Sequence, residues 1–140
     1  MKKTMVIIIL VVFIASIAVV NFFGLEIKQF DGIELPWGKV NGAFIVSENM
    51  ADNGGMSVPL DIMSRTAGAS YEEYFSNWAR VWCQKARDEY RKLLLSVDVH
   101  GPCILRANMP PRNFAEWYEA FGVTENDKMY IAPEKRIVIW

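Results

Sequence analysis

Two acidic residues that could act on one target lie in the segment ENMADNGG, residues 48–55. Glu48 and Asp52 stand four residues apart, and side chains at that spacing share one face of a helix. Gly54 and Gly55 follow after a single asparagine, so the chain carries no side chains there. The residues alone leave two interpretations open: two acids presented to one site, or an ordinary helix cap with a Gly-Gly stop.

The single histidine of the chain, His100, is the second candidate for chemistry. It lies in VDVHGPCILR, with Asp98 two residues before it and Arg106 six residues after it. Gly101-Pro102 predicts a turn at this point. A loop histidine beside a carboxylate and a guanidinium can stabilise negative charge that develops on an oxygen. The alternative is an ordinary polar contact between His100 and Asp98.

The elements that must position these residues are mainly helical. Ser47 can cap a helix that carries Glu48 in its first turn, and Pro59 predicts that this helix ends or kinks near Val58. Residues 72–96 carry an apolar stripe typical of one amphipathic helix or two. The stripe predicts a core-facing surface, and its members are Phe75, Trp78, Trp82, Ala86, Tyr90 and Leu93.

Two shorter segments complete the domain. Residues 113–122 predict a helix that Asn113 caps, that has Glu116 in its first turn and that Gly122 ends. The C-terminal RIVIW is strand-like, and Trp140 is expected in the core. Cys83 and Cys103 either pair, if the domain lies outside the cell, or are small buried apolar residues.

The N-terminal segment is different in character. Met5–Leu25 is long and apolar enough to cross a bilayer as one helix. Lys2 and Lys3 before it predict a single-pass anchor with the rest of the chain outside the cytoplasm; a cleaved signal peptide is the competing interpretation. Residues 26–46 predict a linker with turns and a short strand at 43–46, and residues 47–140 a small helical domain. The net charge of −1 does not indicate a nucleic-acid partner.

Three segments together resemble a known family. ENMADNGG, VDVHGPCILR and APEKRIVIW are similar to the C-terminal part of the neprilysin and endothelin-converting-enzyme family of zinc metalloendopeptidases, above all its bacterial endopeptidase O branch. The resemblance covers about residues 28–140. It implies the fold of the C-terminal portion of a zincin-type metallopeptidase, with peptide as the substrate.

The resemblance also implies roles. Glu48 corresponds to the third zinc ligand of the family, and Asp52 to the carboxylate that orients a zinc-binding histidine. His100 corresponds to the residue that stabilises the oxyanion, and Asp98 would orient it. Arg106 would bind a carbonyl of the peptide substrate.

One departure from the family is decisive. The family's other two zinc ligands and its general base belong to H-E-x-x-H, which a chain with one histidine cannot contain. Zinc is therefore not expected to bind tightly to this chain alone. Three hypotheses follow: part of a zinc endopeptidase that is inactive alone and completed by a second polypeptide carrying H-E-x-x-H; a non-catalytic, membrane-anchored peptide-binding module; or a decayed gene fragment with no function.

Overall fold

The computed structural model describes residues 7, 8, 11 and 23–138 of the chain. Residues 23–30 are helical and are called α1; residues 7, 8 and 11 are helical as well. The elements after it are β1 (Glu34–Leu35), β2 (Gly38–Lys39), α2 (Gly42–Ser64), α3 (Tyr71–Val81), α4 (Asp88–Val97), α5 (Cys103–Asn108) and α6 (Ala115–Phe121). Short 3-10 helices span Pro110–Asn113 and Pro133–Lys135. The prediction of a small helical domain with short strands is confirmed.

The two strands form one antiparallel hairpin, in which Glu34 pairs with Lys39 and Leu35 with Gly38. Gly38 has a φ of 148°, a conformation that favours glycine. A Cβ at this position would also lie 2.9 Å from a methyl carbon of Leu95 on α4. The hairpin and α4 therefore meet closely at Gly38, and this contact makes one side of the site described below.

The helix that carries the two acids is longer than the sequence predicts. It begins after Asn41, whose side-chain oxygen accepts a hydrogen bond from the backbone N–H of Phe44 at 3.1 Å. The prediction that Ser47 caps it is therefore wrong, as is the strand at residues 43–46. The helix also continues through Pro59 to Ser64. Burial of Met56 and Leu60 on either side of the proline offsets the backbone hydrogen bond that Pro59 cannot make.

α1 and α2 approach each other at Gly42. Its backbone N–H donates to the Asp31 carboxylate at 3.0 Å. A Cβ at residue 42 would lie 2.4 Å from the carbonyl oxygen of Ile27 and 2.7 Å from the backbone nitrogen of Asp31. Only glycine fits between the end of α1 and the start of α2 without moving one of them.

The core has two clusters, and α2 contributes to both. The first combines Phe30, Val40, Ile45, Leu105 and Met109. The second combines Met56, Leu60, Phe75, Trp117 and Tyr118. Residues 26–46, predicted as a linker, thus supply Phe30, Val40 and Ile45 to the core. Between the two clusters, α2 carries the polar stretch from residue 48 to residue 53.

The apolar stripe over residues 72–96 divides into two helices, α3 and α4, which was one of the two predicted outcomes. Phe75 of α3 is buried as predicted. Tyr90 and Leu93 of α4 are 52% and 54% exposed, so their predicted burial is wrong. The non-helical residues 83–87 interrupt the helical period, so a stripe extrapolated from α3 does not continue on the same face of α4.

The C-terminal segment agrees only in part with its prediction. Gly122 ends α6 in the left-handed conformation, at φ 61°, as predicted. Asn113 does not cap this helix; it belongs to the preceding 3-10 helix, and its side chain is buried in a polar network. Residues 136–138 are not a strand. Trp140 lies outside the described residues.

Within the described part of the chain, no helix is long and apolar enough to cross a membrane. The predicted span, Met5–Leu25, lies largely outside the described residues. Both cysteines carry free thiols, and Cys83 is exposed while Cys103 is half-buried. Neither the pairing of Cys83 with Cys103 nor the burial of Cys83 is observed.

Candidate functional site

The five residues singled out by sequence meet where α2 faces the loop between α4 and α5. Glu48 and Asp52 lie one turn apart on α2. Asp98 and His100 lie in the loop that follows α4, and Arg106 lies on α5. These segments are about fifty residues apart in the chain, and the fold brings them into direct contact.

His100 is held between two carboxylates. Its Nδ1 lies 2.8 Å from Oδ1 of Asp98, and its Nε2 lies 3.2 Å from Oε2 of Glu48. The imidazole side chain is 44% exposed, so it remains accessible to a ligand. Asp98 and Glu48 therefore fix the position and ring orientation of His100 from its two sides.

Asp98 is prepared for this role by its own hydrogen bonds. Its Oδ1 accepts from the backbone N–H of His100 at 3.0 Å as well as facing the imidazole. The backbone hydrogen bond from His100 lowers the pKa of Asp98, and the imidazole and Arg106 act in the same direction. Asp98 is consequently an anion at neutral pH and holds Nδ1 of His100 as a hydrogen-bond donor.

Gly101 lets the His100 loop approach α2. Gly101 is buried, and a Cβ there would lie 3.0 Å from Oδ1 of Asn49 and 3.5 Å from a methyl carbon of Ile45. Both neighbours belong to α2, in the turn that carries Glu48. A side chain at residue 101 would push the loop away and lengthen the contact between His100 and Glu48.

Arg106 forms the second pairing of the site. Its Nε donates to Oδ2 of Asp52 at 2.7 Å, and its Nη2 donates to Oδ1 at 2.6 Å. The two side chains are only 15% and 8% exposed, which makes this a largely buried bidentate ion pair. Both oxygens of Asp52, expected to orient an imidazole, thus accept from a guanidinium here, although each keeps a second lone pair.

Two tryptophans of the α3 end hold Arg106 in place. The guanidinium carbon lies 3.7 Å from the ring centroid of Trp82, a cation–π contact. The indole N–H of Trp78 donates to the backbone oxygen of Arg106 at 2.8 Å. The sequence predicted both tryptophans as core residues, and it contained no signal that they support the guanidinium.

A cavity of about 790 Å³ opens beside these residues. Asp98, His100 and Arg106 line it on one side; apolar side chains of the hairpin, α4 and α5 make up most of the rest, with polar ones such as Lys85 and Arg91 among them. Trp37, Val40, Leu94, Leu95 and Ile104 belong to this apolar part. The cavity therefore combines a small polar group with an apolar lining, as ligand sites generally do.

A buried polar network lies behind Asp52 and was not predicted. Glu26 is 0% exposed and accepts from the Asn53 amide at 3.0 Å. Asn113 donates to Oδ1 of Asn53 at 2.8 Å and accepts from the backbone N–H of Ile137 at 3.0 Å. Within the described part of the chain, the second oxygen of Glu26 is buried without a partner. Burial raises the pKa of Glu26 to about 7, opposed by the Asn53 hydrogen bond and assisted by Asp52.

The described residues do not fit a catalytic zinc by themselves. Such a site takes three protein ligands and an open position. Among the described residues, no group of three or more His, Cys, Asp or Glu side chains is arranged to hold a metal ion. Glu48 faces Nε2 of His100, so a metal at Glu48 would have to be held mainly by residues other than those described.

A family model described as peptidase family M13 matches residues 25–137. The chain belongs to peptidase family M13. This confirms the resemblance on which the predicted site residues depend, while their roles remain predictions for this chain.

The relatives of this M13 chain are much longer proteins. A neutral endopeptidase of Lactococcus lactis is 49% identical over 114 residues, which are 81% of this chain and 18% of the relative. Human neprilysin is 32% identical over 114 residues, which are 72% of this chain and 15% of neprilysin. The M13 chain thus spans less than a fifth of the length of these curated relatives.

Solved structures agree with the sequence relatives. A crystal structure of PepO from Lactobacillus rhamnosis is 42% identical with a TM-score of 0.79, and the match covers 89% of this chain and 20% of that one. A Mycobacterium tuberculosis zinc metalloprotease in complex with an inhibitor is 30% identical with a TM-score of 0.79, covering 86% of this chain and 21% of that one. The M13 chain has the fold of one part of these larger enzymes.

Proposed function

We propose that this chain forms one wall of the peptide-cleaving site of an M13 metalloendopeptidase. The observation that supports the proposal is the convergence of two fixed pairings on consecutive turns of α2: His100 held by Glu48 and Asp98, and Arg106 held by Asp52. Both pairings lie at the edge of the 790 Å³ cavity. A peptide backbone laid along this edge would meet an imidazole and a guanidinium in fixed positions.

Arg106 is suited to hold the peptide. Asp52 uses Nε and Nη2 of the guanidinium, and Nη1 makes no hydrogen bond to the described residues. Nη1 can therefore donate to a carbonyl oxygen of a peptide without loss of the Asp52 pairing. Fixing the peptide in this way contributes positioning rather than bond-making chemistry.

His100 is suited to stabilise charge. Asp98 keeps Nδ1 as the donor toward itself, and Nε2 faces Glu48 of α2. In this proposal Nε2 becomes available to a bound substrate when Glu48 turns away from it. A protonated imidazole there can donate to an oxygen on which negative charge develops when a peptide carbonyl is attacked. In this proposal Asp98 is a positioning residue that acts through His100.

Hydrolysis would require a second contribution. Zinc is implied by the family, but the described residues do not fit it alone. We propose that Glu48 supplies one carboxylate ligand, that another polypeptide supplies the two histidines and the glutamate of H-E-x-x-H, and that the chain by itself is inactive.

The test is complementation. The probe is the Lactococcus lactis neutral endopeptidase without the 114-residue segment that matches this chain, mixed with the full chain in mild detergent and supplied with zinc. We expect cleavage of a fluorogenic peptide by the mixture and by neither component, with loss on chelation and a large fall in kcat for His100→Ala. Zinc-dependent hydrolysis by the rigorously purified chain alone would contradict the proposal.

A non-catalytic peptide-binding module is the second candidate, and the apolar cavity beside Arg106 favours it. This function predicts measurable affinity for oligopeptides with an apolar side chain in the absence of zinc. Titration calorimetry with the full chain and its Arg106→Gln variant tests the idea. No binding at millimolar peptide by the unsubstituted chain would exclude it.

We also propose that residues 5–25 anchor the chain in a membrane with the domain outside the cytoplasm. The support is the apolar run after Lys2 and Lys3 in the sequence. Retention of the expressed chain in membranes after alkaline carbonate extraction is expected. Release into the supernatant, or removal of the segment from the mature chain, would favour a signal peptide.

A further inference from the structure

The cavity beside the site carries an excess of positive charge. Of the described residues that line it, three are cations, Lys85, Arg91 and Arg106, and one is an anion, Asp98. Asp98 is engaged by the imidazole and the backbone of the His100 loop, and Arg106 is neutralised by Asp52 from behind the cavity wall. The charges of Lys85 and Arg91 are therefore the ones that a ligand in the cavity would meet.

Arg91 is fixed at the wall of the cavity. Its guanidinium carbon lies 4.6 Å from the centroid of the Trp37 ring on the hairpin, which is a cation–π contact. Two long hydrogen bonds, both of 3.4 Å, join the guanidinium to the Asp88 carboxylate and to the backbone oxygen of Gln84. The Arg91 side chain is 24% exposed and that of Asp88 is 65% exposed. Asp88 thus compensates the charge of Arg91 weakly, and from the solvent side.

Lys85 adds a second cation next to Arg91. It directly follows Gln84, whose backbone oxygen accepts from Arg91. Lys85 is exposed, and its ammonium forms no ion pair within the described part of the chain. The guanidinium of Arg91 also has more N–H donors than its two hydrogen bonds use. Both cations can therefore donate to an anion that enters the cavity.

One continuous wall connects these two cations to the guanidinium of Arg106. All four residues from 82 to 85 line the cavity. Trp82 stacks on Arg106 at 3.7 Å, and Gln84 contacts Arg91. Positions 82 and 84 are at most about 7 Å apart in any conformation of the chain. A peptide whose backbone is held at Arg106 would thus have Lys85 and Arg91 beside it on the same wall.

The lining favours one class of side chain. Leu94, Leu95 and Ile104 offer apolar surface to methylene groups, while the two cations offer charge-assisted hydrogen bonds, which are stronger with a carboxylate than with a neutral amide. A basic side chain of a ligand would be repelled by the same two charges. The cavity is therefore suited to a short apolar stem that ends in a carboxylate.

We propose that Lys85 and Arg91 select peptides that carry an acidic side chain, which enters the cavity from a backbone held at Arg106. The inference rests on the proposed function and deepens it, because it names the substrate class of the same site. Lys85 and Arg91 bind the carboxylate and take no part in bond cleavage. Glutamate should be preferred to aspartate, because its longer stem covers more of the apolar lining.

The test measures binding of short acetylated and amidated peptides to the full chain in mild detergent without zinc. One residue is Glu, Gln or Lys, and it is moved through each position of the peptide in turn. At one position we expect the Glu peptide to bind about tenfold more tightly than the Gln peptide, and the Lys peptide to bind most weakly. The ratio should fall as salt is raised from about 50 mM to about 500 mM. Equal affinities for Glu and Gln at every position would overturn the proposal.

Variants separate selection from a merely structural role of Arg91. Lys85→Gln and Arg91→Gln should each lower the Glu-to-Gln ratio, the double variant should abolish it, and Arg91→Glu should reverse the preference toward the Lys peptide. Arg87→Gln is the matched control, because Arg87 is an exposed arginine of the same segment that does not line the cavity, and it should keep the ratio. If Arg91 only links α4 to the hairpin, Arg91→Gln will weaken all three peptides alike, which would contradict the proposal.

The C-terminus of a peptide is the other source of a carboxylate. If a Gln peptide with a free C-terminal carboxylate binds as tightly as the amidated Glu peptide, the cations do not select a side chain and the proposal is wrong. If the free-acid form gains nothing over the amidated Gln peptide, the side chain is the recognised group, as proposed.

Hydrolysis by the mixture of the full chain with the Lactococcus lactis probe gives a second readout. We expect kcat/KM to favour the Glu peptide over the Gln peptide by a similar factor, mainly through KM, and Arg91→Gln to remove this difference. Selective binding without hydrolysis would refute the catalytic proposal and leave the selection of acidic peptides standing. Hydrolysis that does not distinguish Glu from Gln would do the reverse, and absence of both binding and discrimination would overturn the selection.

Discussion

At the scale of single residues, the pairing of Asp52 with Arg106 is the interaction on which the site depends. It joins α2 to α5 across 54 residues of chain, and both side chains are largely buried. Removal of one charge leaves the other buried without compensation, which is much more costly than loss of a surface ion pair.

We therefore expect Asp52→Asn to lower the free energy of unfolding by about 2–4 kcal/mol. Asp61→Asn is the control, because Asp61 pairs with Arg65 at a site where both side chains are more than 60% exposed. It should change stability by less than about 0.5 kcal/mol. Urea denaturation of both variants checks this. Equal losses of stability would show that the Asp52–Arg106 pair is no better shielded from water than the Asp61–Arg65 pair.

Glu26 predicts an unusual pH dependence. Its pKa is raised to about 7 in the folded chain from an ordinary value of 4.5, so the folded state binds its proton more tightly than the unfolded state does. The contribution of Glu26 to stability is therefore fully present below about pH 4.5 and is lost as pH rises to about 7, by up to about 3 kcal/mol.

Glu26→Gln removes this titration. The variant should match the unsubstituted chain near pH 4 and exceed its unfolding free energy at pH 8 by about 1–3 kcal/mol. Glu134→Gln, at an exposed position, should leave the profile unchanged. Thermal unfolding from pH 4 to pH 8 is the measurement, and a profile of Glu26→Gln parallel to that of the unsubstituted chain would contradict the assigned pKa.

The sequence predicted which residues form the site, but it did not predict which of them pair with each other. Glu48, Asp52, Asp98, His100 and Arg106 were all named by the family resemblance, and the fold brings them together. That Asp52 pairs with Arg106, and Glu48 with His100, depends on how α2 meets the loop after α4, which no local pattern encodes. Glu26 had no signal, because its burial depends on packing of α1 against Asn53.

At the scale of elements, the start of α2 lies six residues before the position that the sequence predicts. Both Asn41 and Ser47 are residue types that cap helices, and the sequence favoured Ser47. The structure places Asn41 at the cap and Ser47 inside the helix, exposed to solvent. The apolar residues from 43 to 46 fit a short strand equally well until the burial of Ile45 fixes their helical phase.

Asn41→Ala should destabilise the chain by about 1 kcal/mol, because the N–H of Phe44 loses its side-chain acceptor and keeps only the backbone oxygen of residue 41. Ser47→Ala should change stability by less than about 0.5 kcal/mol. Denaturant titrations of the two single variants compare them directly. A larger loss of stability for Ser47→Ala than for Asn41→Ala would indicate that Ser47 caps the helix, as the sequence predicts.

The break between α3 and α4 shows why periodicity alone misplaced part of the core. A stripe read across residues 72–96 assumes an unbroken helix, whereas residues 83–87 are not helical. After the break, Leu94 and Leu95 line the cavity or pack on the hairpin, and Leu93 faces solvent. A few non-helical residues are enough to change the face that a helix presents.

At the scale of the whole molecule, α2 exposes three large apolar side chains, Phe44, Val58 and Ile62, and exposed apolar surface favours association. Neither cluster of the core includes Phe44, Val58 or Ile62. The surface can therefore be changed without loss of the fold, and its effect on association can be measured separately from stability.

We expect the full chain in mild detergent to self-associate nonspecifically at high concentration. The double variant Val58→Asp/Ile62→Asp should remain monodisperse at concentrations several times higher, because charge replaces the exposed apolar side chains. Light scattering after size exclusion measures this, with Tyr90→Asp on α4 as the comparison. If the unsubstituted chain is a stable monomer, the exposed apolar side chains of α2 do not drive association.

The contact at Gly42 has a mechanical consequence. Since the turn that ends α1 bears directly on the first residue of α2, force applied to the chain before residue 23 would be transmitted to the helix that holds Glu48 and Asp52. Tension or reorientation at the N-terminal end would thus displace the two carboxylates together. The site is in this sense tethered to whatever holds the beginning of the chain.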